Sequence, residues 1–364
     1  YAYMFDPIAR KDDGTLDIEA SEDGKTFTVK LGAPCAYFLD LCAFPAFYAV
    51  PQASAEAAEG WQENPGTWCQ EAGFVTSGAY PLESWNHNES MVYVKNPNYY
   101  RADEVKIERM EFMLSADDTA IYAAYNAGNL DFADTVPTDE IQSLLDNPEF
   151  HIIDNLGTYY VAFNVNSDLF AGKTPEQASA MRRGLTLLID RDYIVENIGQ
   201  TGQQLANTFV PAGMADGQGG GVRPNDEAYT YPDADAVGYY DPSYDAYEDN
   251  LAEAIELLKE AGYEFVDDGN GNQVLSDETP LNVTYITNDG TAHVAIAEAI
   301  QQDFAVIGAQ LKIETNEWNV FLNERKAGNY DMSRNGWLAD FNDPINMLEM
   351  WTTDSGNNDV QFGR

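Results

Sequence analysis

Strands and helices alternate between Lys106 and Leu145, and this alternation constrains the fold more than any other feature of the sequence. The pattern predicts a strand over 107–114, a helix over 119–126, a short strand over 130–133 and a helix over 137–145. A strand, a helix and a second strand in succession indicate a βαβ unit, in which helices cover the faces of a sheet. The chain is therefore predicted to be an α/β protein.

Both kinds of element recur in the second half of the chain. The predicted strands are 159–165, 281–286 and 310–314, the predicted helices are 175–188, 250–261, 292–307 and 320–327, and a hairpin is predicted over 266–274. Residues 211–245 are rich in Gly, Asp, Pro and Tyr, which predicts a long irregular segment. A chain of 364 residues exceeds what one hydrophobic core normally supports, so two or more domains or an elaborated pair of lobes is expected.

The charge of the chain excludes one class of partner. Nineteen Lys and Arg against 61 Asp and Glu give a formal net charge of -42, which repels a phosphate backbone and an anionic membrane surface. Nucleic-acid binding is therefore excluded. The acidity suits a solvated surface in a salty or exposed environment, and a bias toward cationic ligands is the alternative. No apolar run approaches the roughly 18 residues of a membrane span, and any targeting signal is expected to have been removed or to lie outside this chain.

Common enzymatic motifs are missing from the sequence. It contains no GxSxG elbow, Walker loop, GxGxxG or HExxH motif, and its three histidines (His87, His151 and His293) are widely separated. A catalytic or zinc site built on histidine is therefore not expected. Among 61 acidic residues some carboxylates will lie close together by chance, so a glycosidase-type pair stays open.

Two further patterns bear on metals and disulfides. The acidic run 267–272 looks like a calcium loop, but it lacks the downstream bidentate Glu, and a hairpin turn explains its residues. No metal or other cofactor is therefore predicted. Cys35, Cys42 and Cys69 form no CxxC pair, and whether two of them form a bridge is left open.

Two stretches resemble the oligopeptide-binding family, the extracytoplasmic solute-binding proteins of peptide ABC importers: AIELLKEAGY at 254–263 and AGNYDMSRNGWLADFNDPIN at 327–346. Further matches follow in the family's order, TSGAYPLESW at 76–85, KNPNYYRADEVKIERMEF at 95–112, YVAFNVNSDLF at 160–170, RRGLTLLIDRDYIVENI at 182–198 and IGAQLKIETNEWNVFL at 307–322. No single motif would suffice, but together they cover nearly the whole chain.

The resemblance implies a two-lobed α/β fold of the periplasmic-binding-protein type (type II) with an extra small domain. It places residues 1–78 in part of the small domain, 79–156 in part of the first lobe and 157–364 in most of the second, ligand-anchoring lobe. It also implies that the fold is incomplete at both ends, since the family's N-terminal strands and a segment after Arg364 are missing.

The resemblance also implies ligand-binding residues. Asp340, in the segment Trp337-Leu338-Ala339-Asp340, matches the family's aspartate that receives the α-ammonium of a peptide, and the alternative is that it caps the turn before 342–344. Arg334 matches a position that meets the carboxylate of a short peptide, and Arg325 precedes it. An arginine suits this role because its planar fork bonds a carboxylate through two donors. In the alternative, each arginine pairs with an acidic neighbour.

Other positions are expected to line the ligand cleft. Trp318 and Trp337 resemble aromatic walls of side-chain pockets, with core packing as the alternative for Trp318. Asp134 and Thr135 match a cleft-lining turn of the other lobe. His293 lies near a family histidine that approaches longer peptides, but it is out of register and is not placed in the site.

One departure from the family concerns a disulfide bridge. Some relatives link the start of the second lobe to the W-x-A-D strand by two cysteines, and the matching positions here are Gly157 and Leu338. The resemblance therefore implies a fold that does without this bridge and a cleft wall that is looser.

The function implied is that of a monomeric, non-enzymatic receptor that binds an oligopeptide between its lobes and docks on a membrane ABC permease. Its implied location is extracytoplasmic, in the periplasm or lipid-anchored on the outer face of the membrane. The same fold could instead hold a dipeptide, a nickel complex or an oligosaccharide. A secreted hydrolase that uses carboxylates is the alternative from another class.

Overall fold

The computed structural model describes residues 1–206, 208–217, 219, 221 and 247–364. The chain divides into two compact units, a larger one formed by Tyr1–Ala46 with Thr138–Arg364 and a smaller one formed by Phe47–Pro137. Most of the irregular segment predicted over 211–245 lies outside the described residues. The lobe boundaries implied near residues 78 and 156 stay a prediction.

The described part of the chain contains eleven strands, β1 (Ile18–Ala20), β2 (Phe27–Val29), β3 (Leu82–Asn86), β4 (Ser90–Val94), β5 (Arg109–Met113), β6 (Gly157–Phe163), β7 (Phe265–Asp267), β8 (Gln273–Leu275), β9 (Asn282–Asn288), β10 (Gln310–Asn316) and β11 (Met332–Leu338). Its α-helices are α1 (Phe38–Cys42), α2 (Gln52–Glu56), α3 (Asp118–Asn126), α4 (Ile141–Leu144), α5 (Pro175–Leu187), α6 (Arg191–Tyr193), α7 (Tyr247–Glu260), α8 (Thr291–Ala305), α9 (Trp318–Ala327) and α10 (Ile345–Leu348). A π-helical segment, Ile194–Gly199, follows α6. None of the helices in these ranges is long and apolar enough to cross a membrane.

The larger unit is built around a four-stranded mixed sheet in the order β10, β9, β11, β6. Strand β9 is parallel to both β10 and β11, whereas β6 is antiparallel to β11. Side chains alternate along a strand, so neighbouring residues of β9 face opposite sides of the sheet. Tyr285 packs into the main core together with Phe304 of α8, and Ile286 packs against Phe321 of α9. Helices α8 and α9 therefore cover opposite faces of the sheet.

Local sequence signals account for the helix ends in this unit. Helix α5 begins with a capping box, in which the Thr174 side chain accepts the Gln177 N–H and the Gln177 side chain accepts the Thr174 N–H. Helix α9 begins after Glu317, whose carboxylate accepts two backbone N–H groups, and it ends at Gly328, which has a φ of 76°. Helices α5 and α7 approach closely at Gly184, where an added Cβ would lie 3.1 Å from a backbone oxygen of α7.

The smaller unit corrects one prediction. Its sheet is antiparallel, in the order β3, β4, β5, and α3 follows β5 as predicted. The strand predicted over 130–133 is absent, because this short apolar run has no neighbouring strand to pair with and Phe132 is 76% exposed. The βαβ unit predicted there does not form. Strand–helix–strand units are found instead in the larger unit, as β9–α8–β10 and β10–α9–β11.

Candidate ligand-binding site

The side chain of Asn346 organises the region that follows β11. Its Oδ1 accepts hydrogen bonds from Trp337 Nε1 at 3.0 Å and from the Asp340 backbone N–H at 2.8 Å. Its Nδ2 donates to Asp340 Oδ2 at 3.2 Å and to Tyr3 Oη at 2.9 Å. Asn346 is 1% exposed, so this buried amide is fully hydrogen-bonded and holds Trp337, Asp340 and Tyr3 together.

Asp340 presents a half-buried carboxylate. Burial raises its pKa, and the hydrogen bond from Asn346 and the charge of the α-ammonium of Tyr1 lower it in part. Within the described residues, no lysine, arginine or histidine nitrogen lies within 4.0 Å of this carboxylate. The hydrogen bond shown for the Asp340 carboxylate is the one from Asn346. In the turn that follows, Asp343 Oδ1 accepts the Ile345 N–H at 3.0 Å.

Aromatic side chains lie beside this carboxylate. Trp337 packs against the buried cluster of Val210, Met214 and Met347. Its ring also lies 6.4 Å from that of Tyr1, centroid to centroid. Trp337 thus combines core packing with a hydrogen bond to the residue that positions Asp340.

Arg334 lies in an aromatic setting on β11. Its Nη2 is 2.8 Å from His293 Nε2, and its guanidinium carbon lies 5.2 Å and 5.3 Å from the ring centroids of Tyr159 and Trp318. Its Nε is buried without a hydrogen-bond partner, and no carboxylate in the described ranges lies within 4.0 Å of it. Burial lowers the pKa of Arg334 from its ordinary value. The acidic pairing considered from the sequence is therefore not made by Arg334 within these ranges.

The sheet brings these side chains together. His293 lies in the first turn of α8, which follows β9, and Trp318 begins α9, which follows β10. Because β9, β10 and β11 are parallel, their carboxyl ends meet at one edge, the usual place for ligands in such sheets. Gly336 is the register partner of Tyr159, and a Cβ at Gly336 would lie 2.5 Å from the Tyr159 ring. A glycine there lets the ring lie across β11.

Arg325 has a different role. It is 7% exposed, and its Nε lies 2.7 Å from Asp359 Oδ2. Its guanidinium also lies 5.1 Å from the Phe321 ring centroid. The structure thus places Arg325 in a buried ion pair, which was the alternative weighed for it. We leave Arg325 out of the ligand-contacting set.

Asp134 and Thr135 lie in the smaller unit, in the irregular segment between α3 and α4. Asp134 is exposed and Thr135 is half-buried. Their role in lining a cleft stays a prediction.

The positions matched to the family's cysteine pair are neighbours in the sheet. Gly157 and Leu338 are register partners on β6 and β11, and a Cβ at Gly157 would lie 2.4 Å from Leu338 Cδ2. Cys35, Cys42 and Cys69 are free thiols. In the 267–272 run, the Asp268 carboxylate accepts the backbone N–H groups of its own turn, so a hairpin explains this segment.

Several residues of this site were not found from the sequence. Asn346 lies within the stretch that carries the family resemblance, but its hydrogen bonds to Trp337 and Tyr3 depend on the fold. Tyr159 belongs to an apolar strand pattern that does not distinguish a ligand-facing ring from an ordinary one. His293 was kept out of the site, yet the structure places it in contact with Arg334.

Comparison with known proteins matches nearly the whole chain to bacterial solute-binding proteins. The family model described as "Bacterial extracellular solute-binding proteins, family 5 Middle" matches residues 2–359. The oligopeptide-binding protein OppA of Bacillus subtilis is 29% identical over 356 residues, which is 95% of this chain and 58% of that protein.

Two solved structures resemble the chain closely in fold. The murein tripeptide binding protein MppA of Escherichia coli has a TM-score of 0.77 at 26% identity, covering 95% of this chain and 60% of that one. OppA of Haemophilus influenzae in complex with RPPGFSPFR has a TM-score of 0.75 at 25% identity, covering 97% of this chain and 62% of that one. The α/β solute-binding fold predicted from the sequence is confirmed. The chain spans about three-fifths of the length of these proteins.

Proposed function

Because the chain belongs to the bacterial extracellular solute-binding proteins of family 5, we propose that it captures oligopeptides outside the cytoplasm and delivers them to the permease of an ABC importer. Relatives named for binding oligopeptides and a murein tripeptide support a peptide ligand. The observation that carries the proposal is the Asp340 carboxylate, which is held by Asn346 and has no cationic partner within 4.0 Å in the described residues.

In this proposal Asp340 receives the α-ammonium of the peptide. A half-buried carboxylate gains a charge-assisted hydrogen bond from an ammonium group, and such bonds are about twice as strong as neutral ones. Leaving a buried charge unpaired is costly in free energy. A cationic group of the ligand would compensate the negative charge of Asp340.

Arg334 is proposed to receive the opposite charge of the ligand. Its guanidinium is held by neutral groups, and among the described residues no carboxylate within 4.0 Å neutralises its positive charge. Trp318, which is 42% exposed, and Trp337 supply apolar walls for side chains. Main-chain hydrogen bonds and bridging waters would hold the rest of an extended peptide and tolerate sequence variation.

The remaining parts of the proposal concern the whole protein. Closure of two lobes over the peptide follows from differential affinity, because a ligand that bridges them stabilises the closed state. The closed receptor would then dock on the permease as a monomer, from the periplasm or from a lipid anchor on the outer face of the membrane. It would release its ligand unchanged, without a cofactor.

The alternatives differ in what they require of the site. A carboxylate, together with an arginine that has no acidic partner within 4.0 Å in the described residues, complements a zwitterion. This favours a peptide over an oligosaccharide or a nickel complex. A dipeptide would satisfy the same two charges over a shorter span. A hydrolase would need paired carboxylates, whereas Asp340 is hydrogen-bonded to an amide.

One experiment separates these functions. The chain is incubated with a random peptide library, and bound species are recovered and identified by mass spectrometry. Recovery of intact peptides is the expected result. Recovery of no peptide would contradict the proposed ligand, and cleaved products would indicate the hydrolase.

A further inference from the structure

The contact between Arg334 and His293 defines the tautomer and the charge of the imidazole. Arg334 Nη2 lies 2.8 Å from His293 Nε2, and a guanidinium can only donate hydrogen bonds. Nε2 must therefore accept, which places the ring proton on Nδ1 and leaves the imidazole neutral. Burial and the nearby charge of Arg334 lower the pKa of His293 to about 4, in agreement with this assignment.

Aromatic rings complete the environment of the guanidinium. Tyr159 stacks on His293 with ring centroids 5.6 Å apart, and it also lies 5.2 Å from the guanidinium carbon of Arg334. The ring centroids of Trp318 and Phe321 lie 5.3 Å and 5.8 Å from the same carbon. All of these partners are neutral.

Arg325 shows what the same side chain does when it has a purely structural role. It is paired with the Asp359 carboxylate, which balances its charge inside the protein. Arg334 is held by a neutral acceptor instead, so its orientation is restrained while its positive charge stays uncompensated by any carboxylate within 4.0 Å in the described residues. Such an arrangement suits an anion that arrives from outside the chain.

We propose that His293 is a positioning residue, which orients Arg334 toward the ligand and thereby makes the receptor select peptides with a free carboxyl terminus. The inference rests on the proposed function and deepens it. His293 acts through Arg334, because its hydrogen bond fixes one arm of the guanidinium, while no carboxylate of the described residues lies within 4.0 Å of the group. Without that bond the guanidinium would lose its fixed direction, and bidentate contact with a carboxylate depends on direction.

The test uses tri-, tetra- and pentaalanine, each as the free acid and as the C-terminal amide, in isothermal titration calorimetry. The wild-type chain is expected to bind the best of the acids at least about tenfold more tightly than the matching amide. His293→Leu cannot accept a hydrogen bond, and the ratio is expected to fall to about threefold or less. His293→Gln keeps an acceptor, and it is expected to restore most of the preference. Arg334→Gln is expected to abolish the preference.

The matched control is His151→Leu, which alters an exposed histidine of the same unit and is expected to leave the ratio unchanged. Thermal unfolding of each variant reports whether it is folded. If His293→Leu does not fold, His293→Met provides a second side chain without a comparable acceptor.

The outcomes separate this inference from the proposed function. Retention of the full preference in His293→Leu, or its loss in a folded His293→Gln, would overturn the role of the hydrogen bond. Equal binding of acids and amides by the wild type would also overturn it, while leaving peptide capture intact. Binding of no peptide by the wild type would overturn the proposed function and this inference with it.

Discussion

At the scale of single residues, the site depends on which polar and charged groups have partners within the protein and which do not. Asn346 uses all of its hydrogen-bonding capacity within the site, on Trp337, Asp340 and Tyr3. The charges of Asp340 and Arg334 have no oppositely charged side chain within 4.0 Å in the part of the chain that the structure describes. The buried amide thus fixes geometry, and the two charges are left for a ligand.

Replacing Asn346 by Ala is expected to destabilise the protein by about 1–3 kcal/mol, because the Trp337 Nε1–H and the Asp340 N–H lose their acceptor. Peptide binding is expected to weaken as well, since the Asp340 carboxylate loses the amide that orients it. Urea unfolding and calorimetric titration with a peptide measure the two effects. Asn323→Ala on the exposed side of α9 is the control. Wild-type stability in Asn346→Ala would contradict the role of this network.

At the scale of elements, strand register decides which side chains meet. Pairing of β6 with β11 places Tyr159 against Gly336 and Gly157 against Leu338. A shift of one residue would turn Arg334 to the other face of the sheet and separate it from His293. The antiparallel β6–β11 pair therefore determines the local geometry of the site.

The double substitution Gly157→Cys with Leu338→Cys is expected to form a disulfide under oxidising conditions, because the two positions are register partners. Removing Leu338 also removes the side chain that an added Cβ at Gly157 would meet at 2.4 Å. The bridge would close a long loop and is expected to stabilise the chain by about 2–4 kcal/mol. Thiol titration and thermal unfolding with and without reductant measure this. Because Cys35, Cys42 and Cys69 are free, three thiols are expected in the oxidised double variant. A titre of about five would argue against the register, and each single variant is the control.

Asp303 on α8 gives a pH-dependent contact between elements. Its Oδ2 accepts the backbone N–H of Asp190, the residue that caps α6, at 3.0 Å. Burial, and to a smaller extent the charge of Asp190, raise the pKa of Asp303 to about 6. The folded state therefore binds a proton more tightly than the unfolded state, and the free energy of unfolding falls as pH rises from about 4 to 6.

Asp303→Asn keeps an acceptor for this N–H and removes the titration. The wild type loses stability between pH 4 and pH 7, whereas this variant does not titrate at position 303. The free energy of unfolding of the variant minus that of the wild type is therefore expected to rise by about 1 kcal/mol over this range, after allowance for solvent screening. Urea unfolding at both pH values measures the difference. An exposed carboxylate, Asp354→Asn, is the control. A difference that does not change with pH would show that Asp303 titrates normally.

The elements show what the sequence could and could not predict. Strands and helices from β6 to α9 in the described part were predicted within a few residues, because hydrophobic periodicity is local. The order β10, β9, β11, β6 could not be read from the sequence, since pairing is decided by contacts far apart in the chain. For the same reason the sequence does not distinguish the two arginines, whereas the structure pairs Arg325 with Asp359 and places Arg334 against His293.

At the scale of the whole molecule, the larger unit supplies both Asp340 and Arg334. A zwitterionic peptide would then be anchored through its charged ends by one unit, and the proposed contribution of Asp134 and Thr135 concerns the other. The net charge of -42 repels anionic surfaces. The family assignment and the site geometry are both consistent with the proposed peptide ligand.

Titration of the chain with a peptide and its N-acetylated counterpart tests the role of Asp340 most directly. The wild type is expected to bind the peptide with a free α-ammonium much more tightly than the acetylated form. Asp340→Asn and Asp340→Ala are expected to weaken binding of the free peptide by about 2–5 kcal/mol and to remove the discrimination. The neighbouring Asp343→Asn is expected to preserve it. Unchanged affinity and discrimination in a folded Asp340→Asn variant would contradict the account.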